Sequence, residues 1–186
     1  MNAMKTKIIV AGLCVAALGL GTAHAGHGPT NVGGASMLPE RNIVENAVNS
    51  DDHETLVAAV KAAGLAEVLQ GEGPFTVFAP VDAAFAELPD GTVEMLLNPE
   101  NQARLQELLT YHVVPGNMNR EALHDAVTER DGAASFQTVQ GERLTVMRNG
   151  NNLSVMDANG NSANVTLVDV AQSNGVIHVI DSVLMP

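Results

Sequence analysis

The hydrophobic pattern of this chain changes period along its length, and the changes divide it. From Ile8 to Leu20 the apolar run is continuous, with Lys5 and Lys7 before it and Ala23-His24-Ala25 after it. A charged start, a short apolar stretch and small residues at alternate positions predict a secretory signal peptide over 1–25, cleaved after Ala25. The run is shorter than the ~20 residues of a membrane-crossing helix. No second such run follows, so no membrane span is expected in the mature form. Residues 26–39, GHGPTNVGGASMLP, have no apolar period and read as a flexible segment rich in Gly, Pro and small polar residues.

A helical period begins next. Ile43, Val44, Ala47 and Val48 share one face, as do Leu56, Val60 and Ala63. Asp51, with Glu54 three residues on, is the expected cap of the second helix, and Gly64 its left-handed stop. LAEVLQG adds a short helical turn. GPFTVFAP then predicts a buried strand between a Gly-Pro start and a closing proline. VDAAFAEL turns helical again with Asp82 as its expected N-cap. TVEMLL is a further short helix, and Asn98-Pro99 opens another that runs to Tyr111. From Val113 the pattern is mostly alternating. HVVPG is a short strand and MNREALHD one helical turn. SFQTVQGERLTVMRNGNNLSVMD gives two or three strands, and NVTLVDVAQSNGVIHVIDSVLMP two more joined around Ser173-Asn174-Gly175. Helices first, one strand among them and strands afterwards predict a single α+β domain over 40–186.

Composition narrows the chemistry. The formal net charge is −12, and loss of Lys5 and Lys7 would make the mature form more acidic still. Such a chain repels phosphate backbones and anionic lipid, which excludes nucleic acid as a partner. There is no tryptophan and one tyrosine, so a stacking platform for sugars has little to be built from. The only cysteine, Cys14, lies in the signal. Leu13 before it is not the small residue a lipoprotein signal wants, and the mature chain has no thiol or disulfide chemistry.

Candidate sites are few. His27, His53, His112, His124 and His178 follow the signal, but no HExxH, HxH or CxxC spacing joins them, so no metal site and no cofactor is expected. Asp157, Asn159 and Asn161 resemble the start of a calcium loop. Gly is missing from the sixth place and Val168 stands where a bidentate Glu belongs, so a hairpin turn is the better reading. No GxSxG is present, and the glycines of GEGPF carry no lysine partner for phosphate. No catalytic constellation is apparent.

Three ordered strings resemble the signatures of fasciclin domains: GPFTVFAPVDAAFAELP (73–89), LLTYHVVPG (108–116) and NGVIHVIDSVLMP (174–186). Val81 and Asp82 fall where that family often has Thr and Asn. The resemblance implies a fold of two β-sheets packed as a wedge, with helices clustered along one side. Its structural signature falls on Phe75, Thr76, Phe78, Pro80, Asp82, Phe85, Asn174, Gly175, His178 and Asp181. It implies a secreted or periplasmic, non-enzymatic interaction module for cell adhesion or extracellular-matrix contact, whose partner is a cell-surface or matrix protein or polysaccharide. The alternative is a binder of a small apolar ligand such as a carotenoid, for which the methionines of the chain would be adaptable contacts. Fold does not fix function, so these are expectations by analogy.

Tyr111 and His112 in TYHVVPG are the one pair open to two readings. As a corner between helix and strand, they would supply a donor to last-turn carbonyls, tie the turn to Pro115-Gly116 and cover apolar surface. As a partner-binding pair, proposed for some fasciclin domains, they would lie at the surface.

Overall fold

The computed structural model describes residues 29–186; the expected signal peptide, its cleavage site and His27 lie outside the described residues. The segment expected to be flexible contains a hairpin, β1 (Thr30–Val32) and β2 (Ala35–Met37). Gly33 and Gly34 supply its turn with φ of 54° and 74°. Two successive positive φ angles are what a tight hairpin connection requires, so here the glycine pair specifies a structure where it suggested looseness. Any side chain at Gly33 would overlap Ser50 Oγ and come within 2.7 Å of Asp52 N. Val32 and Met37 are buried against the main core, which makes the hairpin part of the folded unit.

The helices follow in the expected order. They are α1 (Ile43–Ala47), α2 (Glu54–Ala62), α3 (Ala66–Leu69), then strand β3 (Phe75–Pro80), then α4 (Asp82–Ala86) and α5 (Thr92–Leu97). A 3₁₀ turn at Pro99–Asn101 leads into α6 (Gln102–Tyr111), and Asn98 caps that turn by accepting from Glu100 N at 3.1 Å. Asn42 and Glu45 form a reciprocal capping box on α1.

The start of α2 departs from expectation. Asp51 does not cap it, and Asp82 does not cap α4. The Asp82 carboxylate instead crosses to α2 and accepts from Glu54 N at 3.1 Å and Thr55 N at 2.8 Å. A cap needs only an acceptor beside orphan amides, and that acceptor can arrive from a remote part of the chain. MNREALHD is also more than one turn. It belongs to α7 (Arg120–Glu129), capped by Asn119 and anchored by Leu123 and Val127 one turn apart.

The remaining strands are β4 (Val113–Pro115), β5 (Ala133–Gln137), β6 (Arg143–Asn149), β7 (Asn152–Met156), β8 (Ser162–Gln172) and β9 (Gly175–Ile180). All but the hairpin pair join one seven-stranded sheet in the order β4-β3-β9-β8-β7-β6-β5. Only β3 and β9 run parallel. This corrects the expectation of two separate sheets. β8 is long enough to serve both halves: its start pairs with β7, and the rest pairs with β9 through two register shifts between Val165 and Val170. Bulges bend a strand, and Asp169 within this stretch has φ of 62°. The far edges approach each other where Val139 N, just beyond β5, donates to Val113 O at 2.8 Å.

Two apolar cores result. The first packs α1, α2, α4 and α6 against β3 and β9, with Ile43, Val60, Phe85, Leu105 and Leu109 among its members. The second lies inside the other half and includes Phe78, Tyr111, Val146, Val155, Ile180 and Leu184. Because α7 closes this second core through Leu123 and Val127, the helices do not all lie along one side.

Candidate functional site

Tyr111 ends α6 and His112 follows as its C-cap, so both turn inward where helix gives way to β4. Tyr111 has no exposed surface and His112 only 2%. The Tyr111 hydroxyl donates to Arg143 O at 3.0 Å and accepts from Ala158 N at 2.9 Å, linking β6 to the β7–β8 turn. His112 Nε2 accepts from Leu184 N at 3.0 Å. That nitrogen must therefore carry a lone pair, and Nδ1–H donates to Leu108 O at 2.7 Å. Burial pushes the His112 pKa down to about 4, against the opposing pull of the Leu108 carbonyl and Asp157. Burial likewise raises the Tyr111 pKa, with the bond from Ala158 opposing.

The pair is thus an internal joint, and its side chains are not presented to a partner at the surface. The expected donor to a last-turn carbonyl is present. The expected tie to Pro115-Gly116 is not: His112 holds the C-terminal segment, and Gly116 O is held by Thr76 Oγ1 at 2.7 Å. A helix-end histidine faces whatever segment packs on that end, and local sequence does not name it.

The turn at Asp157 completes this joint. The Asp157 carboxylate, 4% exposed, accepts from Asn159 N, Asn161 N and Asn161 Nδ2, each at 2.9 Å, and from Met185 N at 3.1 Å. The would-be calcium loop is a hairpin turn, as its flanking strands implied, and its first acid is occupied by amides. That Asp157 also anchors the chain end was not legible from the motif.

The remaining signature residues hold other seams. His178 Nδ1 accepts from Asp169 N at 3.3 Å while Nε2–H donates to Met118 O at 2.8 Å, the opposite tautomer from His112. Its pKa is lowered by burial, and its ring lies 5.6 Å from that of Phe78. Asp169, a residue that sequence reasoning passed over, also accepts from Arg120 N at 2.7 Å at the start of α7. Asn174 donates to Leu69 O and Gly71 O and accepts from Ile43 N. At Gly175 a side chain would collide with the Phe75 backbone, because β3 and β9 begin in contact there. Thr76 also accepts from Met118 N at 2.8 Å. Asp181 accepts from Asn164 N and Nδ2. Pro80 pairs with Ile180, and Phe85 fills the first core. These residues are distributed over the fold and do not converge on one site.

Among the described residues, no three His, Cys, Asp or Glu side chains gather as a metal-binding group. One serine does meet a histidine: Ser50 Oγ lies 2.9 Å from His53 Nδ1. Both are buried, which leaves a substrate no approach to the hydroxyl. An apolar cavity of about 40 Å³ lies between α1, α2 and β3, and a cleft of about 200 Å³ lies between Ala62, Leu96, Leu97 and Leu105. Both are below the ~300–1,000 Å³ usual for a ligand pocket. A small apolar hollow of about 20 Å³ lies beside the TYHVVPG segment, lined by Leu65, Val68, Phe75, Thr110, Val113 and Val139. Val68 and Val139 are 53% and 45% exposed. No helix of the described residues is long and apolar enough to cross a membrane.

In this two-core α+β domain the polar signature side chains make internal hydrogen bonds, and the apolar ones pack into the cores. The fasciclin domain family matches residues 51–186, and the chain belongs to that family, which is not one of enzymes. It is 49% identical over 144 residues to protein sll1483 of Synechocystis sp., covering 77% of this chain and 73% of that protein. It is 32% identical over 168 residues to the cell surface glycolipoprotein MPB83 of Mycobacterium bovis, covering 88% of this chain and 69% of that protein. Among solved structures it resembles a FAS1 domain pair from the insect cell adhesion molecule fasciclin I, with TM-score 0.69 and 17% identity over 78% of this chain. The chain spans about half (51%) of that solved chain, and the likeness shows the fold alone.

Proposed function

We propose that this chain is an exported, non-enzymatic interaction module that contacts a cell-surface or matrix protein. The observation that carries this reading is the pair of exposed valines, Val68 and Val139, that meet at the small apolar hollow beside the TYHVVPG segment. Tyr111 and His112 serve it from within by fixing the corner between Thr110 at the end of α6 and Val113 at the start of β4. A protein partner fits better than a polysaccharide, because the exposed patch is apolar and the single tyrosine of the chain is buried. The cell-surface setting named for the mycobacterial relative, and the signal-like start of this sequence, support export. The carotenoid alternative lacks a preformed cavity of suitable size among those described above.

The test is attachment of cells producing the chain, or of beads coated with it, to protein-coated surfaces. Val68→Glu with Val139→Glu should reduce attachment while leaving the melting temperature unchanged. Full attachment by this double variant, or equal attachment by uncoated beads, would overturn the reading.

A further inference from the structure

The sequence contains three Asn-Gly pairs, at 149–150, 159–160 and 174–175. Such a pair is open to loss of the side-chain amide. Glycine has no Cβ to shield its backbone nitrogen or to restrict the turn by which that nitrogen reaches the amide carbon. The three pairs share this covalent chemistry. They differ in what the fold does to the two reacting groups.

Asn174 is held from all sides. It is 7% exposed, its Nδ2 donates to Leu69 O at 2.7 Å and Gly71 O at 2.9 Å, and its Oδ1 accepts from Ile43 N at 3.1 Å. Gly175 has no room to turn, because it opens β9 against the Phe75 backbone. Asn159 is exposed, but both of its reacting groups are engaged. Its Nδ2 donates to Met185 O at 3.1 Å, and Gly160 N donates to Asp157 O at 3.2 Å. Asn149 is free of such ties. It ends β6, is exposed, and pairs with Asn152 across the two-residue turn Gly150-Asn151. Among the described residues no hydrogen bond engages the Asn149 side chain, and Gly150 N has no acceptor. Gly150 has φ of 64° and nothing within 4 Å of where a Cβ would stand. Extended backbone at the end of a strand keeps the amide carbon away from the next nitrogen, so ring closure waits on opening of the Asn149–Asn152 pair. Fraying at an exposed hairpin tip is among the least costly openings of a fold.

We propose that Asn149 is a modification site, where its side-chain amide is converted by water to a carboxylate through ring closure by Gly150 N. Gly150 N gives up its proton to solvent base and bonds to Asn149 Cγ. The Cγ–Nδ2 bond breaks, and Nδ2 takes a proton from water and leaves as ammonia, which closes a succinimide. Water then opens this ring. Addition at Cγ restores the normal backbone as aspartate, and addition at the main-chain carbonyl carbon gives isoaspartate. No oxidant or reductant is needed. Either product adds a negative charge to the β6–β7 tip, and isoaspartate also lengthens the backbone of β6 by a methylene where it pairs with Asn152. The site lies at the other end of β6 from the turn that carries Val139 and does not depend on the adhesion reading.

The test is incubation of the purified chain in mildly alkaline buffer, with peptide mapping by mass spectrometry and enzymatic methylation to count isoaspartate. Asp90-Gly91 and Asp131-Gly132 rearrange without releasing ammonia, so the change in mass reads the asparagines alone. Rates at the three asparagines are normalised to those of the same chain in urea, where no fold protects them. Asn149 should lead. Asn159 should be slower by about tenfold or more, for the hydrogen bonds that must break first. Asn174 should keep its amide, because the fraction of unfolded chain is about 10⁻³ or less. Asn149→Gln, whose ring would be one atom larger, should remove the leading product and leave the melting temperature unchanged. If Asn159 or Asn174 reacts as fast as Asn149 after normalisation, or if Asn149 keeps its amide while the chain in urea loses all three, the proposal is wrong.

Discussion

Replacing His112 by Phe separates the hydrogen-bonding role of this side chain from its volume. Phe fills similar space but leaves Leu108 O and Leu184 N unpaired inside the protein. Each orphaned group costs about 1–3 kcal/mol, so the variant should lose about 2–6 kcal/mol at pH 7. That is a large share of the ~5–15 kcal/mol that holds a typical domain together. The pH dependence gives the sharper test. The folded-state pKa of about 4 lies below the ordinary histidine value of 6.5. Between those values the unfolded chain takes up a proton that the folded protein refuses, so stability falls as pH falls from 6.5 to about 4 and then levels. Each pKa unit corresponds to ~1.36 kcal/mol, so His112 accounts for about 3 kcal/mol of acid destabilisation. The Phe variant lacks this contribution. His53 and His178 are also lowered by burial, but they are common to both proteins and cancel in the difference. Urea unfolding at pH 7 and pH 4 should therefore show the gap between the two proteins shrinking by about 3 kcal/mol. A gap that stays constant over that range would refute the account of His112 as a buried neutral acceptor.

Tyr111→Phe removes only the hydroxyl that joins Arg143 O and Ala158 N. Calorimetry should show a loss of about 1–3 kcal/mol, and attachment by the folded variant should be unchanged; weakened attachment with an unaltered melt would mark the pair as a contact surface. Asp82→Ala should cost about 0.5–2 kcal/mol by uncapping α2, whereas Asp51→Ala should stay within about 0.5 kcal/mol. Chemical denaturation of the two variants side by side checks this, and the reverse order would return the cap to Asp51.

The sequence by itself determined the kind and order of the elements. Apolar spacing marked the helices from Ile43 to Tyr111, and strand formers between Gly-Pro and proline marked β3, because these signals act within a few residues. The last of the three ordered strings sits at a joint of this fold: Gly175 lies where two backbones touch, and Asn174 ties α1 and α3 to the β8–β9 turn. Turn chemistry was also local, and DANGNS resolved into a hairpin turn once its flanks were read as strands. Glycine was the exception, since Gly33-Gly34 suggests looseness in isolation and becomes a specified turn only against Ser50 and Asp52.

Only the tertiary structure decided who partners whom. Asp82 caps a helix 27 residues away, and His112 holds an amide 72 residues on. It also joined the expected two sheets through the bulged strand β8. The same packing moved Tyr111 and His112 from a possible surface into the interior. A polar side chain carries donors and acceptors in its covalent structure, but which of them is satisfied depends on distances that only the packed chain defines.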